Sequence, residues 1–365
     1  MKISVLKEKV LQAALIAERV VGKKESLPIL SCILFTVAKD ITVRSTNLEA
    51  GVEVRLVGEV GEEGVVAVPA GILSQTLRSI TGEKITLQTE EGNLLVESKG
   101  SRTLIKAIPH EEFPPLPIKN SLKGVQIPKK VFVECLQTVS YAASPSMIRP
   151  ELGSVYVHIT EEGITCVATD SFRLAEKVIR SGKGVEEVDI LIPLKHTLEI
   201  LHILERVETE EVMIAADESQ LTVSVGDIQY VSRVVDGTFP NYREIIPKKF
   251  VTEATVLKSD FSETLKKARV FSGADQYVGL HLYPKKKVFS AVAQSADVGE
   301  MSDSIDAAVS GEDIDINFHI GYLADCLPSI ASDSISLRFS GAGKPLVMQG
   351  VSDPTFTYLV MPLNR

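Results

Sequence analysis

The sequence predicts an α+β fold made of three tandem copies of one domain, each with two helices backed by antiparallel sheets. The first ground is a pattern that returns at whole-domain length. KISVLKEKVLQAALIA from Lys2, VQIPKKVFVECLQTV from Val125 and ATVLKSDFSETLKKA from Ala254 each run from a short β-type stretch through a basic or polar corner into apolar residues at helical spacing. The second ground is a further strand-to-helix unit about 60 residues after each start: VAVPAGILSQTLRSI from Val66, ILIPLKHTLEILHIL from Ile190 and INFHIGYLADCLPSI from Ile316. Val68, Ile192 and Phe318 hold equivalent places, 124 and 126 residues apart. The third ground is the material between the helices, which alternates with period 2 and is punctuated by Gly, Asp or Asn, as antiparallel strands packed on one face require.

In the first copy the strands read as ITVRSTN, GVEVRLVGEV, KITLQTEEGNLLVES and SRTLIKAI, and LPILSCILF (Leu27 to Phe35) reads as at most a buried strand pair. Each domain is two rounds of strand, helix and several strands, so six similar half-domains are expected. EEFPPLPIKNSLKG (Glu111 to Gly124) and GTFPNYREIIPKKFVTE (Gly237 to Glu253) join the copies, giving expected domains 1–121, 122–247 and 248–365. Proline at both joints favours stiff, extended linkers and a fixed mutual geometry. Tandem like domains build an extended or circular surface, which favours a geometric function over a single catalytic pocket.

At 365 residues the chain is too long for one core and suits three domains, each large enough to fold without a staple. Cys32, Cys135, Cys166 and Cys326 lie far apart with no CxxC pair, so a reducing cytoplasm is expected. No apolar run approaches the roughly 20 residues of a membrane helix, and there is no N-x-[ST] sequon. The net charge of −9 argues on its face against a nucleic-acid partner. Its distribution argues the other way. The first helix of every copy is basic, with Lys7, Lys9, Arg19, Lys23 and Lys24, then Lys129 and Lys130, then Lys258, Lys266, Lys267 and Arg269. The acids gather in turns such as GEVGEEG, VETEEV and SGEDID.

Catalytic chemistry finds no support. SGAGKPL (Ser340 to Leu346) imitates the tail of a phosphate loop, but Arg338 stands where its first Gly belongs and Pro345 replaces the magnesium-binding Ser or Thr, so a turn between strands is expected. Ser4 and Lys7 form an SxxK pair without its SDN and KTG companions. The six histidines show no metal-ligand spacing, and His196 and His202 read as residues of a solvated helix face. No cofactor and no metal are expected.

LPIL at Leu27, STNLEAGVE at Ser45, EEFPPLP at Glu111, ATDSFRLAE at Ala168, DGTFPNYREIIP at Asp236 and the terminal YLVMPLNR, in this order and spacing, resemble the bacterial sliding clamps, the DNA polymerase III beta subunits. The resemblance covers the whole chain. It implies a head-to-tail homodimer of three-domain subunits, a six-domain ring whose helices line a central hole. Basic inner helices then face phosphates inside an acidic exterior. The implied DNA contacts are Arg19, Lys23, Lys24, which stands where the family often has Arg, Arg149 in the loop SPSMIRP, Lys266 and Lys267. The implied peptide groove takes Leu152, Thr169, Ser171, Phe172, Arg173 and Leu174, then Pro240, Tyr242 and Ile245, Pro345, and Val360, Met361, Pro362 and Leu363. Its implied partners are the polymerase III alpha subunit, the clamp loader, other polymerases and mismatch-repair proteins. Phe172 stands where His is common, and Glu244 where a second basic residue is often found. The implied dimer contacts are Thr103, Ile105 and Ile108 on one side and Val270, Phe271 and the strand from Tyr277 on the other.

Two other classes compete with a DNA-encircling, non-catalytic processivity clamp. A repeat-built peptide scaffold would not persist on closed circular DNA, and a hydrolase with an unrecognised site would keep activity when highly purified and metal-free. The apolar terminus itself points to a docked tail, because free ends favour polar residues.

Overall fold

The computed structural model describes residues 1–22, 27–117, 124–180 and 187–363. Six strand–helix–strand units follow one another. The first is β1 (Lys2–Leu6), α1 (Lys7–Val20), β2 (Cys32–Val37), β3 (Ile41–Thr46), β4 (Ala50–Leu56) and β5 (Gly58–Glu62); the second is β6 (Gly64–Pro69), α2 (Ala70–Ser79), β7 (Lys84–Glu90), β8 (Asn93–Ser98) and β9 (Ser101–Ile105). The third is β10 (Val125–Pro128), α3 (Lys129–Ser140), β11 (Ser154–Thr160), β12 (Gly163–Thr169) and β13 (Arg173–Arg180); the fourth is β14 (Val188–Pro193), α4 (Leu194–Leu204), β15 (Glu211–Ala216), β16 (Gln220–Val225) and β17 (Ile228–Arg233). The fifth is β18 (Thr252–Leu257), α5 (Lys258–Phe271), β19 (Tyr277–Tyr283), β20 (Val288–Ser295), β21 (Gly299–Ser304) and β22 (Ala307–Gly311); the sixth is β23 (Ile314–His319), α6 (Ile320–Asp325), β24 (Ser334–Phe339), β25 (Leu346–Gly350) and β26 (Asp353–Val360).

The helices form where apolar residues recur at helical spacing. In α1 the buried residues are Val10, Ala13, Ala14, Ile16, Ala17 and Val20, and the three alanines let the helix lie close to its sheet. The basic corner before each odd-numbered helix has a structural use. Lys7 Nζ donates to Ile80 O at 2.7 Å, Lys129 Nζ to Leu204 O at 3.2 Å and Lys258 Nζ to Ile330 O at 2.7 Å. Each lysine thus caps carbonyls at the end of its domain's second helical segment. Their backbone amides are held alike, by Glu83 O, Glu210 O and Asp333 O, each at 2.8 Å. These three cations, counted in the sequence as helix charge, serve the fold.

By its internal contacts the chain divides into two compact units, residues 1–133 with 195–236 and residues 134–194 with 237–365. In the first unit an eight-stranded sheet runs β10-β15-β16-β17-β4-β3-β2-β6, beside a five-stranded sheet β5-β1-β7-β8-β9. In the second, a nine-stranded sheet runs β14-β11-β12-β13-β26-β25-β24-β18-β22, beside a four-stranded sheet β21-β20-β19-β23. The halves of the middle copy separate because each is hydrogen-bonded into a neighbour's sheet. Tyr230 of β17 sits opposite Val52 of β4, and Ala175 of β13 opposite Tyr358 of β26. The expected boundary at 121/122 lies outside the described residues.

Two local expectations are corrected. LPILSCILF is a 3-10 turn, Pro28–Ser31, followed by the single strand β2, because Pro28 starts the turn and Ile29 and Leu30 are already buried beneath it. His196 is buried, with Nδ1 3.3 Å from Arg233 O, rather than on a solvated face. SGAGKPL is the turn between β24 and β25, as expected. All four cysteines are buried free thiols. No described helix is long and apolar enough to cross a membrane.

Near His196, Glu199 is buried and its Oε2 accepts the Tyr230 hydroxyl at 2.7 Å. Burial raises its carboxyl pKa, against the opposing effect of that hydrogen bond. A raised folded-state pKa means stability that is complete below the unfolded value and is lost as pH rises through the folded value. Glu199→Gln keeps the acceptor and removes the charge. The variant is therefore expected to melt higher than wild type at pH 8, with the gap closing toward pH 4. Thermal melts across that range check the sign.

Candidate functional site

The second unit carries an apolar groove edged by the chain's own tail. Its first wall is the tight turn between β12 and β13. Thr169 Oγ1 donates to Arg173 O at 2.6 Å and accepts Ser171 N at 3.2 Å, while Asp170 Oδ1 accepts the Phe172 and Arg173 amides, both at 2.9 Å. Ser171 takes a left-handed φ of 78° to close the turn. The turn pushes the Phe172 ring outward, 59% exposed.

The tail forms the opposite edge. Arg173 of β13 pairs with Val360 of β26, and the ladder runs on as Met361 N donates to Phe172 O at 2.8 Å. Leu363 N then donates to Asn317 O at 2.8 Å, so the end is docked through Leu363. Leu174, Val167, Val347, Leu359 and Tyr242 make a buried floor. The linker supplies the third side. Phe239 stacks on Tyr156 with centroids 5.1 Å apart, and Tyr242, at the start of a 3-10 turn, donates its hydroxyl to Glu176 Oε1 at 2.6 Å. Ile245 is left 56% exposed and Met361 40% exposed, so both, like Phe172, present apolar side chains to solvent. Pro240, Pro362 and Leu363 are half-buried around it, and Pro345 leads into Leu346, the partner of Val360. Leu152 and Val360 are core residues rather than open wall.

Several residues beside this groove escaped the sequence. The Arg173 guanidinium donates to Asp325 Oδ2 at 2.6 Å and to Asp170 Oδ2 at 3.0 Å, and lies 4.5 Å from the Tyr322 ring centroid. His319 packs on Tyr322 at 4.4 Å. Burial, helped by the charge of Arg173, lowers the His319 pKa and favours the neutral ring. Asn317, His319, Tyr322 and Asp325 belong to the sixth unit, far along the chain from Arg173. Only the half-repeat hinted that this strand–helix corner matters.

The basic candidates are scattered over helix ends and one loop. Arg19, in the last turn of α1, and Lys266, on α5, are exposed, and so is Arg269, one turn beyond Lys266. Lys267 Nζ lies 3.0 Å from Asp303, and Arg149 Nε 2.9 Å from Glu151. Exposed pairs of this kind are worth about 0–1 kcal/mol, so either cation can exchange its partner for a phosphate. Lys23 and Lys24 lie outside the described residues.

The third set sits at sheet edges. Thr103 and Ile105 belong to β9, the end strand of the five-stranded sheet, and Ile108 N donates to Ala67 O at 2.9 Å. Val270, 63% exposed, and Phe271 end α5, and Val298, 55% exposed, precedes β21. Tyr277 opens β19, which lies between β20 and β23, so the strand at this end of the four-stranded sheet is β21. Among the described residues no cluster of three or more His, Cys, Asp or Glu is placed to hold a metal.

Family models of the DNA polymerase III beta subunit match the chain from end to end: the N-terminal domain at residues 1–117, the central domain at 126–241 and the C-terminal domain at 243–364. The beta sliding clamp of Synechococcus elongatus is 23% identical over 359 residues, covering 96% of this chain and 95% of that protein. Among solved structures, the DNA polymerase III beta subunit of Thermotoga maritima superposes with a TM-score of 0.94 at 26% identity, covering 100% of this chain and 99% of that one. The DNA polymerase sliding clamp of Bacillus subtilis superposes at 0.93 with 21% identity and the same coverage.

Proposed function

The chain belongs to the DNA polymerase III beta subunit family, the sliding clamps, and from that membership we propose that it is a ring-shaped, non-catalytic processivity factor that encircles duplex DNA and tethers its partners through the tail-bordered groove. One observation in the fold supports the ring above all others. In each unit, sheets of adjacent domains join through the third strand after a helix: β4 with β17, and β13 with β26. Two such strands remain at sheet ends, β9 and β21. An unpaired edge invites another strand. Pairing β9 of one subunit with β21 of its partner, twice over, repeats the internal junction and closes a dimer of six domains.

The domains are assigned to 1–121, 122–247 and 248–365, and the protein to the cytoplasm, in keeping with its buried free thiols. DNA contact falls to Arg19, Lys23, Lys24, Arg149, Lys266 and Lys267, with Arg269 added for its place beside Lys266. Phosphate contacts carry no sequence information, which sliding demands, and their weakness costs nothing when retention is topological. The groove is assigned to short apolar peptides of the polymerase III alpha subunit, the clamp loader, other polymerases and mismatch-repair proteins. Its Phe172, Ile245 and Met361 rim offers two or three anchors at about 1.5–3 kcal/mol each, which after ordering costs gives roughly micromolar binding.

Loading onto nicked circular DNA tests the ring. Retained protein is expected to survive a salt wash that abolishes direct binding, and to run off within minutes once the circle is cut. Equal retention on circular and linear DNA would mean that contacts, and not enclosure, hold the protein.

A further inference from the structure

The turn that presents Phe172 in the second unit is built again in the first, between β3 and β4. Thr46 Oγ1 donates to Ala50 O at 2.8 Å and accepts Leu48 N at 3.1 Å, and Asn47 Oδ1 accepts Glu49 N at 2.9 Å and Ala50 N at 2.8 Å. Leu48 has a φ of 75°, against 78° at Ser171. Arg233 N donates to Glu49 O at 2.9 Å, as Met361 N does to Phe172 O. The linker repeats as well, with Phe113 and Pro114 standing where the second unit has Phe239 and Pro240. Gln220 Nε2 holds Pro117 O at 2.8 Å, which fixes that linker against β16. Between these parts lies an open cavity of about 710 Å³, bordered by Leu48, Glu49, Pro117, Glu218, Arg233 and Asp236. That is within the range of about 300–1,000 Å³ usual for ligand sites.

We propose that this cavity is a second docking groove, specific for an extended peptide segment that carries lysine or arginine beside an apolar residue. The inference rests by internal repetition on the peptide reading of the tail-bordered groove, but its chemistry is its own. Glu49 occupies the place of Phe172 and Arg233 that of Met361, so the apolar rim has become ionic. Three carboxylates, of Glu49, Glu218 and Asp236, face one guanidinium, Arg233. Lys195 approaches Glu49 from outside the lining at 3.5 Å, with both side chains more than half exposed. A ligand cation can replace so loose a partner at little cost. Leu48 is exposed at the rim and supplies the apolar contact. The charge balance disfavours the clamp-motif peptides of the other groove, which bring no cation to pair with these carboxylates, and gives the two grooves different clients.

The test uses the full dimeric protein and a fluorescein-labelled peptide of alternating lysine and leucine, read by anisotropy at about 0.15 M salt, where long-range attraction to an acidic protein is screened. Glu49→Lys with Glu218→Lys is expected to weaken binding about tenfold or more. Glu161→Lys with Glu162→Lys makes the same change in net charge on the turn between β11 and β12, and is expected to leave affinity within about twofold. Loss of binding in both pairs alike, or in neither, overturns the proposal. Deleting Met361 to Arg365 separates it from the other groove: the cationic peptide should still bind while an apolar clamp-motif peptide does not. Retention of the apolar peptide would instead count against the tail-bordered groove, with the charge-reversal comparison still deciding this one.

Discussion

Removal of Met361 to Arg365 is expected to abolish binding of a Leu- and Phe-bearing clamp-motif peptide while leaving the dimer intact. Met361 supplies one exposed face of the rim and a deformable thioether, and the tail is held there by only two described backbone bonds, Met361 N to Phe172 O and Leu363 N to Asn317 O. Losing those bonds costs about 1 kcal/mol each, equivalent to a fall in melting temperature of several degrees for a unit of this size. Losing the edge removes an anchor and opens the groove to water, a larger effect on the peptide than on the fold. Ile245→Asp should weaken the same peptide by about tenfold or more without a folding penalty, because Ile245 is largely exposed. Leu174→Ala should weaken it too, but Leu174 is buried floor, so about 2–5 kcal/mol of stability goes with it. Fluorescence anisotropy decides: a truncated protein that binds as well as the full chain would put the groove elsewhere.

Phe271→Asp is expected to turn the dimer into monomers at micromolar concentration. Phe271 is half-buried beside the start of β21, with a Cβ placed on Gly299 only 4.0 Å from its ring, and Val270 and Val298 extend the exposed apolar surface around it. On β9, Leu104 is exposed and offers a matching contact. Covering what remains exposed of a half-buried phenylalanine contributes about 1 kcal/mol, it is lost at two symmetry-equivalent junctions, and each new carboxylate must be desolvated to close the ring. Sedimentation of the variant at micromolar concentration reads the outcome. A variant that still sediments as the wild-type dimer would remove Phe271 from the interface, and a wild-type monomer would remove the ring.

The repeat was legible because it lives in patterns that survive divergence. Helical spacing in KVLQAALIA and in ETLKKA, and period-2 alternation between them, follow from which face each element buries, so strand–helix order could be read without identity between copies. The apolar YLVMPLNR likewise announced a docked end, and the structure docks it through Leu363. The burial of His196 was less legible. On a helix of this length the solvated and buried faces differ only by what packs on them, and the hydrogen bond from His196 Nδ1 to the Arg233 carbonyl is a contact across 37 residues.

What the sequence by itself determined was the set of units: six strand–helix–strand segments, their order, and through the motif series the family. What only the tertiary structure decided was how those units share their hydrogen bonds. The middle copy is divided between two sheets because β17 pairs with β4 and β13 with β26, while β9 and β21, the equivalent strands of the second and fifth units, lie at sheet ends. It also decided which charges are free. Lys7, Lys129 and Lys258 look like any other helix cation in the chain, yet each amine ends on a carbonyl more than 70 residues away, a cap that no local pattern encodes. Local periodicity reports which side of an element is apolar. Backbone pairing between distant strands, and the reach of a long side chain to a distant carbonyl, depend on three-dimensional proximity and leave no periodic trace.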